Sequence, residues 1–200
     1  MKDCSLFLTI MYMYKKICIT NRHLVSGDFM TQIKRILETD VDMLILREKD
    51  MSEPEYTRLA SGIIKLCMEH HKKCVLHSFI GTAKELSFKN IHLSMQAFCD
   101  MTDEDRAFFD IIGVSTHTVE EAILSEKLGA TYITASHIFP TECKKGLSPK
   151  GLKYLKETAA SVDIDVYALG GINAENAAAC IAAGADGICM MSEYMRGENI

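Results

Sequence analysis

The fold is decided by one stretch, which reads Val166-Tyr-Ala-Leu-Gly-Gly-Ile-Asn173, an alanine-rich segment, and then Gly184-Ala-Asp-Gly-Ile-Cys-Met-Met-Ser192. Residues 166–169 are apolar, too few for a helix, and followed at once by two glycines, which is typical of a buried parallel strand. Residues 187–191 form a second such run, closed by Ser192. Two consecutive strand ends with unobstructed backbone N–H groups predict an anion site.

The segment between these two runs is predicted to be a helix. Asn173 can cap it at the start, it extends through Ala182, and Gly184 can end it. If the two strands are the last of an eight-stranded barrel, they lie where such barrels most often bind phosphate.

The rest of the chain repeats the same pattern of a short apolar run, a polar turn and an amphipathic helix. Strands are predicted at 17–20, 43–46, 74–76, 91–93, 111–114 and 132–134. Helices are predicted at 29–37, 54–70, 82–86, 103–109, 118–128 and 149–160. Thr118 and Glu121 have the spacing of a capping box, and Gly129 is the predicted stop of that helix.

Eight strands that alternate with helices predict an α/β fold with a parallel sheet. Their number at this length favours a compact, closed (β/α)8 TIM barrel over an open doubly wound sheet. No Gly-x-Gly-x-x-Gly follows the first strand, so the main signal of a dinucleotide-binding sheet is missing. We therefore predict a single TIM-barrel domain over residues 15–200, with a final helix that is short or missing.

Composition is that of one domain with a sizeable core. The chain has 200 residues, 48% hydrophobic, and its net charge of -5 gives no sign of a nucleic-acid surface. Five of the eight cysteines sit inside apolar runs without metal-ligand spacing: Cys18, Cys67, Cys74, Cys180 and Cys189. Scattered reduced thiols predict a cytoplasmic protein.

Residues 1–14 form an N-terminal extension with an apolar run. It lacks the basic start and small-residue cleavage site of a signal peptide, and it is too short to span a membrane. Three interpretations stay open: an added edge strand, a dimer element, or a start codon placed upstream of the true initiator at Met11 or Met13.

Candidate functional residues follow the strands, because catalytic groups of a barrel come from the C-terminal strand ends. These positions are Arg47, Lys49, His77, Ser78, His92, Ser94, Ser115, His117, His137, Thr141, Cys143, Lys144, Gly170, Gly171, Met191 and Ser192. Cations, imidazoles and backbone donors predominate, which favours an anionic substrate and proton-transfer chemistry.

Several of these residues have simpler interpretations. Arg47 and Lys49 alternate with acidic neighbours and could form a solvated ion-pair cluster, but alternation also turns both cations to one side of the strand end. His117 could have a purely structural role as a helix cap, and His92 is best explained as a packed strand residue. Lys144 lies in a shaped loop that could act as a lid, and Cys143 is taken as a loop residue. The histidines do not have the spacing of a metal motif on a single helix, so no metal site is predicted.

Five motifs in order resemble the thiamine phosphate synthase/TenI superfamily. They are Leu46-Arg-Glu-Lys49, Gly113-Val-Ser-Thr-His-Thr118, Ile138-Phe-Pro-Thr-Glu-Cys-Lys-Lys-Gly146, Ala168-Leu-Gly-Gly-Ile172 and Gly184-Ala-Asp-Gly187. The resemblance covers residues 17–192 and implies a (β/α)8 barrel with a role in thiamin biosynthesis. It also implies a small-molecule thiazole phosphate substrate and allows a homodimer.

The superfamily has two branches that differ in chemistry. The synthase joins a pyrimidine diphosphate to a thiazole phosphate with magnesium, and expects Asn-Asp after the third strand and an Asp after the fourth. This chain has His77-Ser78 and Ser94-Met-Gln-Ala97 there, and Ile45 where a glutamine is expected. Loss of two carboxylates leaves the diphosphate charge without its hard-oxygen metal ligands.

The other branch, the TenI type, aromatises a thiazole phosphate carboxylate without a cofactor. By resemblance, His117 is the general acid/base. The substrate and its phosphate would be bound by Arg47, Lys49, Ser115, Thr141, Cys143, Lys144, Gly170, Gly171, Met191 and Ser192. The sequence therefore favours a thiazole tautomerase. A magnesium-dependent synthase with atypical ligands and a non-catalytic regulator that binds thiazole or thiamin phosphate are the alternatives.

Overall fold

The computed structural model describes residues 14–144 and 146–197 and contains a closed barrel of eight parallel strands. The strands are β1 (Lys15–Ile19), β2 (Met43–Leu46), β3 (Lys73–His77), β4 (Asn90–Ser94), β5 (Ile111–Thr116), β6 (Tyr132–Ser136), β7 (Asp165–Leu169) and β8 (Gly187–Met190). Each strand pairs with the next in sequence, and β8 pairs with β1 to close the barrel. The predicted (β/α)8 architecture is confirmed.

Helices connect the strands around the outside. They are α1 (Phe29–Leu37), α2 (Glu53–Glu69), α3 (Ile80–Glu85), α4 (Met95–Cys99), α5 (Asp103–Phe108), α6 (Val119–Lys127), α7 (Gly151–Ala159), α8 (Ala177–Ala182) and α9 (Ser192–Arg196). Short 3₁₀ turns lie at Arg22–Leu24 and Glu142–Lys144. The last helix is indeed short. Among the described helices, none combines the length and apolar character needed to cross a membrane.

Strand alternation divides the core into two layers. Ile17 and Ile19 point into the barrel and pack with Ile45, Tyr132 and Tyr167, among others. The residues of opposite parity on the same strands pack outward against the helices in a much larger cluster. The barrel interior is therefore filled with side chains.

The start of α8 differs from the sequence prediction. The helix begins at Ala177 rather than directly after Asn173. The Asn173 side chain accepts hydrogen bonds from the N–H groups of Glu175 and Asn176, at 3.0 and 3.2 Å, and so forms a turn that delays the helix. The prediction that Asn173 caps the helix is therefore wrong: Asn176 occupies the N-cap position, and the Asn173 side chain shapes the loop after β7.

The predicted capping box of α6 forms only in part. Thr118 Oγ1 accepts from the Glu121 N–H at 3.1 Å, as expected for an N-cap. The Glu121 carboxylate, however, accepts from the His117 N–H at 2.5 Å and not from that of Thr118. This hydrogen bond connects the backbone of His117 to the first turn of α6.

The five cysteines predicted to be buried reduced thiols are free and buried. Burial raises the pKa of the Cys18 and Cys189 thiols above the usual range, which keeps them protonated. The predictions for the extension fall on residues 1–13, which lie outside the described residues. Tyr14, the last residue of that extension, packs partly buried against the outer core.

Candidate functional site

A cavity of about 500 Å³ opens at the C-terminal ends of the strands. Its walls include Arg47, Lys49, His77, His92, Ser94, Ser115, His117, Ser136, His137, Thr141, Lys144, Gly170, Gly171, Asn173, Met191 and Ser192. The cavity therefore lies at the end of the barrel where enzymes of this fold carry out their chemistry. A second, more open cavity lies at the start of α2 and is lined by Glu53, Pro54, Thr57, Arg58 and Glu85, none of which belongs to a strand.

Arg47 and Lys49 face the cavity, and the residue between them points away. Glu48 is 2% exposed and accepts hydrogen bonds from Thr20 Oγ1 at 2.7 Å and from the backbone N–H and Nη1 of Arg22 at 3.1 and 3.0 Å. Thr20 Oγ1 in turn accepts from the Arg47 N–H at 2.9 Å. The buried carboxylate thus fixes the strand end in the register that turns both cations inward.

Replacing Glu48 by alanine is expected to lower the free energy of unfolding by about 3 kcal/mol, because the buried donors of Thr20 and Arg22 lose their acceptor. Asp50→Ala, which removes the exposed partner of the same arginine, should lower the free energy of unfolding much less, because solvent screens that ion pair. Urea denaturation of both variants measures the difference. Equal costs would show that Glu48 does not hold this strand end.

The turn after β7 presents backbone donors to the cavity. Gly170 has φ +105° and Gly171 has φ +65°, and within the described residues neither N–H group has a hydrogen-bond acceptor. A Cβ at Gly170 would collide with the side chain and backbone of His137, and one at Gly171 with the backbone of Pro140. Only glycine fits at both positions, so this turn can approach an anion closely.

Two asparagines hold this turn in place. Asn176 Nδ2 donates to the Gly171 carbonyl at 2.8 Å, and its Oδ1 accepts from the Asn173 N–H at 3.0 Å. The carbonyl of Gly171 is thereby turned toward Asn176. A carbonyl oxygen near the cavity would repel a phosphate, so this clamp supports anion binding by the adjacent N–H groups.

His117 is exposed in the cavity wall just after β5. Its Nδ1 lies 3.1 Å from both the backbone oxygen and Oγ of Ser136. A carbonyl oxygen can only accept, so the contact with the Ser136 carbonyl favours a neutral ring that is protonated at Nδ1 and keeps a lone pair on Nε2. The backbone bond to Glu121 and the contact with Ser136 together orient a base toward the cavity.

Two further imidazoles form the floor of the cavity. The rings of His77 and His92 stack with centroids 5.4 Å apart. Burial, together with the positive charges of Lys49 and Arg47, lowers the pKa of His92 to about 3 and that of His77 well below its usual value. Both rings are therefore neutral at physiological pH and leave the positive charge to the cations above them.

The loop after β6 supplies a third cation. Thr141 and Lys144 line the cavity, and the Lys144 N–H donates to the Thr141 carbonyl at 3.1 Å. Burial and the neighbouring charge of Lys150 lower the pKa of Lys144. The backbone of Cys143 lies in the 3₁₀ turn between them, and its side chain lies outside the described part of the structure.

The side chains at the positions after β3 and β4 do not fit magnesium. Where the synthase branch expects carboxylates, Ser78 bonds to the His77 ring at 2.6 Å and Ser94 caps α4. Asp100 is held by Gln96 and lies away from the cavity. Within residues 14–144 and 146–197, no group of three or more histidine, cysteine, aspartate or glutamate side chains could hold a metal ion. Arg47 and Lys49 also face the cavity, and their positive charges would repel a magnesium ion there. The mechanism below therefore assigns no step to magnesium.

The structure brings the predicted site residues around one cavity, except for Ser78, which does not line it, and Cys143, whose side chain is not described; their roles remain predictions. His92, interpreted from sequence as a packed strand residue, is buried and yet also lines the cavity. Sequence reasoning missed Ser136, Asn173 and two residues of α9, Glu193 and Arg196. Ser136 is the last residue of β6, and α9 begins directly after β8. Their positions at strand ends were the signal that could have identified these residues.

Comparison with known proteins gives one consistent picture. Residues 17–194 match the sequence profile of a family described as thiamine monophosphate synthase. A thiamine-phosphate synthase from Methanospirillum hungatei is 33% identical over 99% of this chain and 93% of its own length. One from Desulfitobacterium hafniense is 31% identical over 93% and 91%. The structure of thiamine phosphate pyrophosphorylase from Pyrococcus furiosus superimposes with a TM-score of 0.80 at 27% identity, covering 95% of this chain and 91% of that one.

Proposed function

The chain belongs to the thiamine monophosphate synthase family, and on that premise we propose that it is an enzyme of thiamin biosynthesis that aromatises a thiazole phosphate carboxylate by proton transfer. The observation that carries this proposal is the joint placement of a phosphate cradle and an oriented imidazole in one cavity. Gly170 and Gly171 offer the cradle, and His117 presents its Nε2.

His117 is proposed as the general acid/base. Nε2 takes a proton from the bound thiazole, and the resulting imidazolium returns a proton at another carbon, so the composition of the substrate is unchanged. The Ser136 carbonyl accepts from Nδ1 throughout and stabilises the ring when it is charged. Among the described residues of the cavity wall, His117 is the histidine that combines an exposed side chain with a fixed orientation.

The charges of the cavity suit a substrate with two anionic groups. The phosphate is proposed to bind at the Gly170 turn and near Ser192, with Lys144 above it. Arg47 and Lys49 follow β2, which β1 separates from β8 in the barrel, and they line the same cavity, where they can bind the carboxylate. Positive charge beside the reacting ring also stabilises the negative charge that develops when a proton leaves.

A second candidate is thiamine phosphate synthase, which would join a pyrimidine diphosphate to a thiazole phosphate. The names of the relatives support this candidate better than the tautomerase. The donor set at His77, Ser78 and Ser94 supports it less, because those positions supply no carboxylate to a metal-bound diphosphate. The names and the site chemistry thus point in different directions, and a direct assay must decide.

The assay offers the purified protein two substrates in separate reactions. One contains the non-aromatic thiazole phosphate carboxylate, and the other contains hydroxymethylpyrimidine diphosphate, thiazole phosphate and Mg²⁺. Aromatisation without coupling supports the tautomerase, and release of diphosphate at a comparable rate supports the synthase. Binding of thiazole phosphate with neither turnover would identify a non-catalytic regulator. The homodimer allowed by the resemblance is a separate prediction, measured by the mass of the protein in solution.

The affinity of the cavity for an anion is expected to weaken as the pH rises. This loss should begin at a lower pH than it would if the lysines in the cavity had the usual lysine pKa. Partial burial and the neighbouring Arg47 lower the pKa of Lys49 from 10.5, and Lys144 is shifted in the same direction. As pH rises through these lowered values the cations are lost, and a bound anion opposes that loss by raising both pKa values. Calorimetric titration with inorganic phosphate should therefore show proton uptake on binding at alkaline pH. Affinity that stays constant up to pH 10.5 would contradict this expectation.

A further inference from the structure

A buried chain of hydrogen bonds crosses the barrel beneath the cavity. Tyr132 on β6 places its hydroxyl 2.9 Å from His92 Nδ1, and His92 Nε2 lies 2.8 Å from Ser115 Oγ. Thr134 Oγ1 donates to the same serine oxygen at 3.4 Å. Tyr132 and His92 are 3% and 2% exposed, whereas Ser115 is half-buried and lines the cavity. The chain therefore begins in the core and ends at the ligand site.

The direction of each bond in this chain can be worked out from its buried end. In the described part of the protein, the Tyr132 hydroxyl has one hydrogen-bond partner, His92 Nδ1. A buried phenol is expected to donate its proton, since leaving it unpaired costs about 1–3 kcal/mol. Nδ1 therefore accepts, and in a neutral ring the proton must then sit on Nε2. Burial lowers the pKa of His92 to about 3, so the ring is neutral.

The consequence reaches Ser115. A protonated Nε2 donates to Ser115 Oγ, and Thr134 donates to it as well, so this oxygen accepts from both of its protein partners. Of these two partners, a ring protonated at Nε2 cannot accept the serine proton, and Thr134 Oγ1 is 3.4 Å away, which is long for an O–H···O bond, so the proton can point into the cavity. Had the imidazole carried its proton on Nδ1, Ser115 would instead donate to His92 and offer a ligand only lone pairs.

The absence of a side chain at Gly113 leaves space for these hydrogen bonds. Gly113 on β5 faces the bond between Tyr132 and His92, and a Cβ at that position would collide with the tyrosine hydroxyl and with His92 Nδ1. The backbone of Gly113 has no positive φ, so its lack of a side chain is required by space and not by conformation. The rings also pack together, with the centroid of Tyr132 5.5 Å from that of His92 and 5.1 Å from that of Tyr167.

We propose that Tyr132 and His92 are positioning residues that fix the Ser115 hydroxyl as a hydrogen-bond donor to the bound substrate. The site then selects a substrate with an acceptor atom, such as a carboxylate oxygen or an unprotonated ring nitrogen, and disfavours one with an N–H or O–H at that point. The identity of the substrate rests on the proposed function, whereas the direction of the hydrogen bonds does not.

Nuclear magnetic resonance of the ligand-free protein tests the direction independently of any activity. With ¹⁵N-labelled histidine, His92 is expected as the neutral tautomer protonated at Nε2, unchanged between pH 8 and pH 5. A neutral ring protonated at Nδ1, or a ring that titrates in this range, would overturn the proposal. This measurement uses the unaltered protein and needs no substrate.

A double-mutant cycle tests the effect on the substrate, in whichever of the two family reactions the protein catalyses. Tyr132→Phe removes the hydroxyl and keeps the ring, and it should lower kcat/KM by about 3- to 10-fold, as should Ser115→Ala. The double variant should be no worse than Ser115→Ala, because the tyrosine acts through the serine. A double variant whose loss of kcat/KM equals the product of the two single losses would overturn the proposal.

Tyr167→Phe is the matched control. It removes another hydroxyl from the same group of rings, one that bonds to Asp165 and Lys15 at the opposite end of the barrel. It should leave kcat/KM and the His92 tautomer unchanged. A loss equal to that of Tyr132→Phe would assign the effect to packing and would contradict a positioning role. If no substrate turns over, the proposed function fails, and the tautomer still decides the proposal.

Discussion

Replacing His117 by glutamine is expected to lower kcat for aromatisation by about 10²- to 10⁴-fold, the range typical for loss of a general acid/base. Glutamine keeps a polar side chain that can still donate to the Ser136 carbonyl, but it cannot carry a proton to and from carbon. Because phosphate is bound elsewhere in the cavity, KM should change much less than kcat.

The matched control for this variant is His70→Gln. His70 follows α2 and does not line the cavity, so its replacement should leave both kcat and KM at their original values. Thermal unfolding of both variants verifies that each is folded. If His117→Gln retains more than about a tenth of the original kcat while folded, His117 is not the proton carrier.

Replacing Gly170 by alanine is expected to abolish measurable phosphate binding and to destabilise the barrel. A non-glycine residue in left-handed backbone conformation costs about 1–2 kcal/mol, and here the added methyl group also collides with His137. Either the turn moves or His137 does, and both lie in the cavity wall. The N–H groups that make the cradle would then no longer converge.

Gly129→Ala separates the two contributions. Gly129 has φ +92° after α6, and nothing lies within 4 Å of the position of an added Cβ. It should therefore show the backbone cost alone and bind phosphate normally. Calorimetric titration with phosphate and urea denaturation compare the two variants. Normal phosphate affinity in a folded Gly170→Ala protein would exclude the proposed cradle.

The barrel was predictable because each strand has a local signature. Eight apolar runs of three to five residues alternate with seven predicted helices, and this spacing leaves little freedom in topology. Glycines with positive φ at the ends of helices, such as Gly129 and Gly184, marked the stops correctly. The short α4 was missed, because five residues directly after a strand carry too little periodicity to be recognised.

Helix starts were harder to predict than strands, because side chains near a start have more than one backbone partner available. Asn173 caps a turn and not the helix, and Glu121 bonds to His117 instead of Thr118. Both alternatives depend on the path of the chain between a strand and the following helix, which spacing alone does not determine. For α6 the capping residue Thr118 was identified and only the partner of Glu121 was not, whereas for α8 the N-cap residue is Asn176 and not the predicted Asn173.

The positions of the site residues were predictable, and the bonds between them were not. Because the C-terminal ends of barrel strands meet at one end of the fold, Arg47, Lys49, His117 and the glycine pair were expected to lie close together. The bonds from His92 to Tyr132 and Ser115 depend on the register between three neighbouring strands, β4, β5 and β6. A single sequence contains no local signal for such a register. His92 was therefore interpreted as a packed residue, although it also contacts the site.

The central claim is that this site moves protons on a thiazole phosphate carboxylate and uses no metal ion to do so. The most direct test is the rate of aromatisation by the purified protein in EDTA, compared with the rate in Mg²⁺. We expect the same rate in both. A protein that leaves the carboxylate unchanged in EDTA and in Mg²⁺, yet releases diphosphate from the pyrimidine substrate when Mg²⁺ is added, would contradict the account.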